Sequence, residues 1–327
     1  MSRMHLDLNK FLWASIAKLA AAAVLLSPCL APRATAQQQG QKTFPSAEAA
    51  SRALVTALLN NDEKVLLEIL GRDGKQIISS GDEAEDAETR ANFVRRYEQM
   101  HRLVDEPNAT TTLYIGAENW PTPIPLVRAG SRWYFDTGAG KQEILFRRIG
   151  ENEMSTIRVC EELVAAEKEY RSAQHDEFAR KIYSDEGQHN GLYWETAEGE
   201  PPSPIGPLLA MAVVDSDGEN REGAQAPFRG YFFHLLTRQG ANGPGGAKDY
   251  ISGGKMTEGF AFVAYPAEYG SSGVMTFIVN ETGEVYQKDL GKKTETLAKS
   301  IKEYNINPSW HKAEEREETA TGQKTNQ

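Results

Sequence analysis

YGSSGVMTFIVNETGEVYQKDLG, running from Tyr269 to Gly291, decides how the second half of this chain is read. Two glycines bracket a serine pair, the composition of a loop that could cradle a ligand. The residues that follow point elsewhere. Met275, Phe277 and Val279 alternate with Thr276, Ile278 and Asn280, which is the period of two expected of a β-strand. Glu281-Thr282-Gly283 then interrupts the run before EVYQKD, so the stretch predicts a hairpin that closes a sheet. Gly270 and Gly273 shape the turn ahead of it and do not resemble a phosphate cradle.

Further strand signals lie upstream, in FRGYFFHLLT and GFAFVAYPA, separated by Gly- and Asn-rich turns. Before them, GKQEILFRRIGENEMSTIRVCEELVAAEKEYRSAQ reads as one or two helices, with Ile157, Val159, Cys160, Leu163, Val164 and Tyr170 as a buried stripe. A long Gly-, Pro- and acid-rich region from about residue 184 to 227 separates the two, interrupted by PIGPLLAMAVV. Downstream, TLAKSIKEY predicts a short amphipathic helix, and the charged residues 311–327 predict a disordered tail.

The first half repeats the order of helices then sheet without repeating any motif. Residues 37–44 read as a polar linker. PSAEAASRALVTALLNND predicts a helix capped by Ser46, and DEKVLLEILG a second, capped by Asp62 and stopped by Gly71. Phe93, Tyr97, Met100 and Val104 predict a third helix through ANFVRRYEQMHRLV. TTTLYIGA and the hairpin PIPLVRAGSRWYFDTGAG supply the strands. The expected fold class is therefore α+β, with two domains at 45–150 and 151–310, each packing helices on an antiparallel sheet.

Composition bounds the function. With 327 residues, 40% hydrophobic and 25% charged, the chain has a globular balance. A net charge of −10 disfavours nucleic acid as a partner. At the N-terminus, Arg3 and Lys10 precede a mostly apolar stretch, Phe11 to Ala31, and Ala34-Thr35-Ala36 follows as a small-x-small cleavage pattern. Together these predict a secretory signal peptide over 1–36 and a periplasmic or secreted protein; an uncleaved anchor is the alternative. Cleavage removes Arg3, Lys10, Lys18, Arg33 and Asp7, so the charge becomes −10 − 3 = −13. It also removes Cys29, leaving Cys160 with no cysteine to pair with.

The stretch GYFFHLLTRQG through GPGGAKDYISGGKMTEGFAFVAYPAEYGSSGVMTFIVNETGEVYQKDLG, with FPSAEAASRALVTAL, RWYFDTGAGKQEIL and YNINPSW, resembles a bacterial exported family described as domain of unknown function 2950. That resemblance implies no catalytic residues. The first half is also similar to the cone-shaped nuclear-transport-factor-2-like fold, which implies a pocket lined by Trp133 and Phe135, residues that could equally be plain core. The second half resembles the globular part of type IV pilins and pseudopilins, where a helix crosses an antiparallel sheet. In a pilin the apolar N-terminal segment runs directly into that helix, whereas here a whole domain intervenes.

Several local patterns could carry chemistry. Asp215, Asp217 and Glu219 stand at a spacing that can wrap oxygens around calcium, but the glycine and the closing glutamate of an EF-hand are missing, so a solvated acidic loop is favoured. GPGGAKDY, with Asp249 and Tyr250, could form an anion-binding nest or a long hairpin turn, and the turn is favoured. Tyr265 and Tyr269 could mark an exposed binding face, although sheet packing accounts for most of the aromatics nearby. The scattered histidines form no zinc spacing, no GxSxG elbow is present, and no cofactor is implied. These observations favour an exported, non-enzymatic protein that binds or assists assembly in the envelope, with other envelope proteins as partners and no membrane span once the signal is removed. The alternative is a periplasmic hydrolase or ligand-processing enzyme using the first-domain cavity or the glycine-rich loops.

Overall fold

A computed structural model describes residues 37–79, 82–173, 176–196, 199, 201–214 and 226–313. The chain is α+β and divides into two compact units between Arg147 and Arg148.

In the first unit, α1 (Ala47–Leu59) and α2 (Glu63–Leu70) start on side-chain caps. Ser46 accepts from the Ala49 N–H and Asp62 from the Val65 N–H, each satisfying a donor that the first helical turn leaves open. Gly71, at φ +78°, ends α2 in a conformation that side-chain-bearing residues avoid. The short α3 (Lys75–Ile78) and the longer α4 (Glu83–Gln99) follow. The sheet consists of β1 (His101–Asp105), β2 (Thr110–Ile115), β3 (Trp120–Pro121), β4 (Leu126–Ala129) and β5 (Arg132–Phe135). Its order is β1-β2-β4-β5, with β3 also on β2, and every pairing is antiparallel. Leu54, Leu66, Ile69, Leu113, Leu126 and Phe135 form the centre of its core.

Two expectations are corrected here. The third helix does not continue through HRLV: Met100 is already extended, and His101–Asp105 pair with five residues of β2. The apolar spacing at Val104 matches a helix, but pairing of HRLVD with TTLYI satisfies a whole backbone edge and prevails. Residues 37–44 are also no free linker. Gln41 is buried and donates to the carbonyls of Ile69 and Phe135 at 3.0 and 2.8 Å, and Phe44 exchanges two backbone hydrogen bonds with Trp133. A polar side chain inside a core needs such partners, and Gln41 finds them.

The helix α5 (Thr137–Ser172) is a single element that begins directly after the first sheet. In the second unit it is followed by an extended region and by α6 (Pro207–Ala210). The strands are β6 (Val213–Val214), β7 (Tyr231–Leu236), β8 (Arg238–Gln239), β9 (Lys248–Asp249), β10 (Ile251–Ser252), β11 (Lys255–Met256), β12 (Ala261–Pro266), β13 (Met275–Asn280), β14 (Val285–Asp289) and β15 (His311–Lys312). Six form the main sheet in the order β15-β14-β13-β12-β7-β6, while β8–β9 and β10–β11 are small hairpins. The β6–β7 pair is parallel, and the rest of the sheet is antiparallel.

Register separates the two faces of this sheet. Tyr231, Phe233 and Leu235 share one face with Phe262, Ala264, Phe277 and Val279, in a core that includes Cys160, Leu163 and Val164 of α5. His234, Val263 and Ile278 share the other, which lies beneath α7 (Thr294–Ser300). Helices on both sides explain why β13 is buried along nearly its whole length, instead of alternating between core and solvent. Each such large apolar side chain contributes about 2 kcal/mol through burial. The C-terminal expectation changes too: His311 and Lys312 are not disordered but pair with Gln287 and Tyr286 as β15, and Ala313 is buried.

Candidate functional site

The opening YGSSGV loop is a junction between α5 and the sheet. One carboxylate oxygen of Glu153 accepts the N–H groups of both Val274 and Met275, at 2.9 and 3.0 Å. One residue before, the Asn152 amide donates to the Ser272 carbonyl at 2.8 Å. The Ser271 and Ser272 N–H groups donate to the Glu268 carbonyl, and the Gly270 N–H donates to Gly273. The Tyr231 hydroxyl passes under the loop and donates to the Met275 carbonyl at 3.0 Å. A Cβ at Gly273 would collide with that hydroxyl, so close approach rather than ligand binding demands this glycine. The amides a phosphate cradle would aim at an anion are already held by the chain's own oxygens.

The GPGGAKDY loop is closed in the same way. Buried Gln239 donates to the carbonyls of Pro244 and Gly246 at 2.7 and 2.6 Å, while its own carbonyl accepts from the Tyr250 hydroxyl at 3.2 Å. The Gly243 and Gly246 N–H groups donate within the turn. Two carbonyls therefore face the loop centre, which opposes an anion and agrees with a turn between β8 and β9.

The residues singled out in the sequence do not converge. Trp133 and Phe135 belong to the first unit, where Phe135 is 1% exposed within the core and Trp133 packs against it. Asp249 is exposed and accepts from the Ile251 N–H. Tyr250 is buried against Gln239, and burial raises its phenol above the usual value, helped by the nearby Glu281 charge. Tyr265 is buried rather than exposed, because its strand lies beneath α7. Tyr269 is half-buried and donates to Asp289 at 3.3 Å. The calcium candidate Asp215, Asp217 and Glu219 lies outside the described residues. Among the described residues, no three His, Cys, Asp or Glu side chains group as a metal site.

Cys160, His234 and Glu167 are among the buried titratable groups of the second unit. Burial, then the Glu161 charge, pushes the Cys160 thiol far above its ordinary value, so the thiol is no nucleophile. His234 is held down to about 4, first by burial and then by the Lys302 charge. Glu167 is fully buried on α5; one oxygen accepts the Ala179 N–H at 2.8 Å and the other has no partner among the described residues. Burial raises its carboxyl well above the usual range, outweighing that hydrogen bond. None of Glu153, Asn152, Gln239 or Glu167 stands in a recognisable sequence pattern, and their roles emerge only once helix and loop are brought together.

The first unit also carries an open groove of about 650 Å³, lined by Gln39, Gly40, Glu63, Lys64, Glu68 and Arg72 among others. It is separate from Trp133 and Phe135, which do not line it. No described helix is long and apolar enough to cross a membrane.

No curated protein and no solved structure matches this chain. Residues 41–313 match the model of a family described as "Protein of unknown function (DUF2950)", which covers both structural units. The chain belongs to the DUF2950 family.

Proposed function

We propose that the chain is an exported protein of the bacterial envelope that acts by binding rather than by catalysis. The observation that carries this reading is the double acceptance by Glu153 of the Val274 and Met275 N–H groups. It turns the most ligand-like loop of the chain into a joint between helix and sheet, and Gln239 does the same for the second glycine-rich loop. The buried Cys160, Glu167 and His234 are embedded in packing. What remains available for function is the surface.

Export is supported by the basic start, the apolar stretch and Ala34-Thr35-Ala36. Cell fractionation followed by intact-mass measurement tests it: the envelope or secreted fraction should hold a chain beginning at Gln37. A full-length chain confined to the cytoplasm would overturn the proposal. The second unit's long helix against a sheet is the feature by which it resembles pilins. Filament assembly forms no part of the proposal, because the first unit separates the apolar leader from that helix.

The charged groove favours a second reading, in which the first unit binds or processes a small polar ligand between Glu63, Lys64, Glu68 and Arg72. Screening the wild type and Glu68→Gln for thermal shifts with small charged metabolites tests it. A shift present only in the wild type supports this reading, and the absence of any shift ends it.

A further inference from the structure

One surface of the second unit has a sign opposite to that of the chain. Between residues 288 and 302 there are five lysines and two acids, +5 − 2 = +3, in a chain whose net charge is −10. The fold collects these lysines on one side of the sheet. Lys288 is paired with Thr276 on β13, on the face shared by Ile278, Val263 and His234. The charge of Lys299 on α7 reaches Tyr265 on that face, and the charge of Lys302 reaches His234. Lys292 and Lys293 form the exposed turn leading into α7.

The acids offset only part of this charge. Glu295 pairs with Lys299 at 2.7 Å, and Glu303 accepts from the Asn305 amide. Asp289 alternates to the opposite side of β14 and accepts from Tyr269. Lys292, Lys293 and Lys302 are exposed, with no carboxylate partner among the described residues. Apolar contact surface accompanies the charge. Leu297 on α7 is 42% exposed, and the half-buried Trp310 ring lies 5.9 Å from the Lys288 ammonium.

We infer that this face docks the second unit onto an anionic phospholipid bilayer. Exposed lysines gain attraction to an anionic surface, and a tryptophan and a leucine beside them suit the headgroup boundary, where one end of a side chain is wet and the other apolar. The acidic remainder of the chain is repelled by the same surface, so the lysine face is the one that approaches. This inference rests on the envelope reading for the biological setting, while the contact itself is tested in vitro, so one can fail without the other.

The test is co-sedimentation of a chain beginning at Gln37, which retains every described element and omits the apolar Phe11–Ala31 stretch that would itself bind lipid. Phosphatidylcholine vesicles with and without phosphatidylglycerol are compared. Association should require phosphatidylglycerol and weaken with added salt. It should fall about thirtyfold in the double variant Lys292→Gln, Lys293→Gln, the effect of losing two near-surface lysines. Trp310→Ala should also weaken it, with thermal melting confirming that each variant is folded. Equal binding to both vesicles, binding to neither, or an unchanged double variant overturns the inference. Binding to soluble polyglutamate but to neither vesicle also overturns it, and identifies an acidic polypeptide as the partner.

Discussion

Glu167, near the C-terminal end of α5, accepts the backbone N–H of Ala179 with one carboxylate oxygen, at 2.8 Å, while its other oxygen, buried in the core, has no partner among the described residues. The contact fastens the chain segment that returns after the helix. It also stores a pH dependence. In the unfolded chain the carboxyl loses its proton near its ordinary 4.5, whereas burial makes the folded chain hold the proton to higher pH. Between those limits the folded state binds more protons, so stability falls as pH rises, by about 1.4 kcal/mol per pH unit for one group. Denaturant melts of wild type and Glu167→Gln across pH should differ by that declining slope above 4.5. Parallel curves would contradict it.

His234 works in the opposite direction. Its ordinary value is 6.5 and the folded chain holds it at about 4, so the unfolded state binds more protons between them. Its contribution is therefore complete above 6.5 and is lost as pH falls toward 4. The full loss is about 3 kcal/mol. His234→Gln should flatten the acid side of the stability curve while leaving the alkaline side set by Glu167. An unchanged acid limb would show that the ring is solvated in the folded chain.

Cys160 is fully buried with a raised thiol value. In a chain beginning at Gln37, a thiol reagent should find nothing to react with under native conditions and one group after unfolding. Fast native reaction would mean that α5 does not cover the sheet as described.

The hairpin was legible in the sequence because Met275–Asn280 alternates and Thr282-Gly283 interrupts it; the structure pairs β13 with β14 across that turn. Helix starts at Ser46 and Asp62 were legible because their caps act within three residues. The strand HRLVD was not, because its identity depends on pairing with TTLYI across a turn, and its apolar spacing suits a helix equally well. Tyr265 reads as a candidate surface residue until α7, some thirty residues later, covers its strand. Glu153 and Gln239 carry no signal in the sequence for a related reason. A carboxylate or amide that satisfies a distant backbone looks, in sequence, like any solvated polar residue.

Gly273 gives a steric prediction. A methyl group there meets the Tyr231 hydroxyl, whose bond to the Met275 carbonyl holds it in place. Gly273→Ala should destabilise the second unit by about 1–3 kcal/mol, the range for overpacking a closed site. Adding Tyr231→Phe to this variant should recover only part of the loss, because the colliding oxygen is gone while the ring carbons Cζ and Cε2 still crowd the added methyl. Additive losses in a double-mutant cycle would show that the two residues do not meet.

The Glu153 junction is the most direct point of attack. Its two hydrogen bonds to Val274 and Met275 should slow amide exchange at both positions, and Glu153→Ala should release them at a stability loss of about 2 kcal/mol. Hydrogen exchange across residues 269–277 in wild type and variant decides the matter. The account predicts strong protection in the wild type, loss of protection at Val274 and Met275 in the variant, and no change on adding inorganic phosphate. A loop that exchanges freely in the wild type and becomes protected when phosphate is added would contradict it.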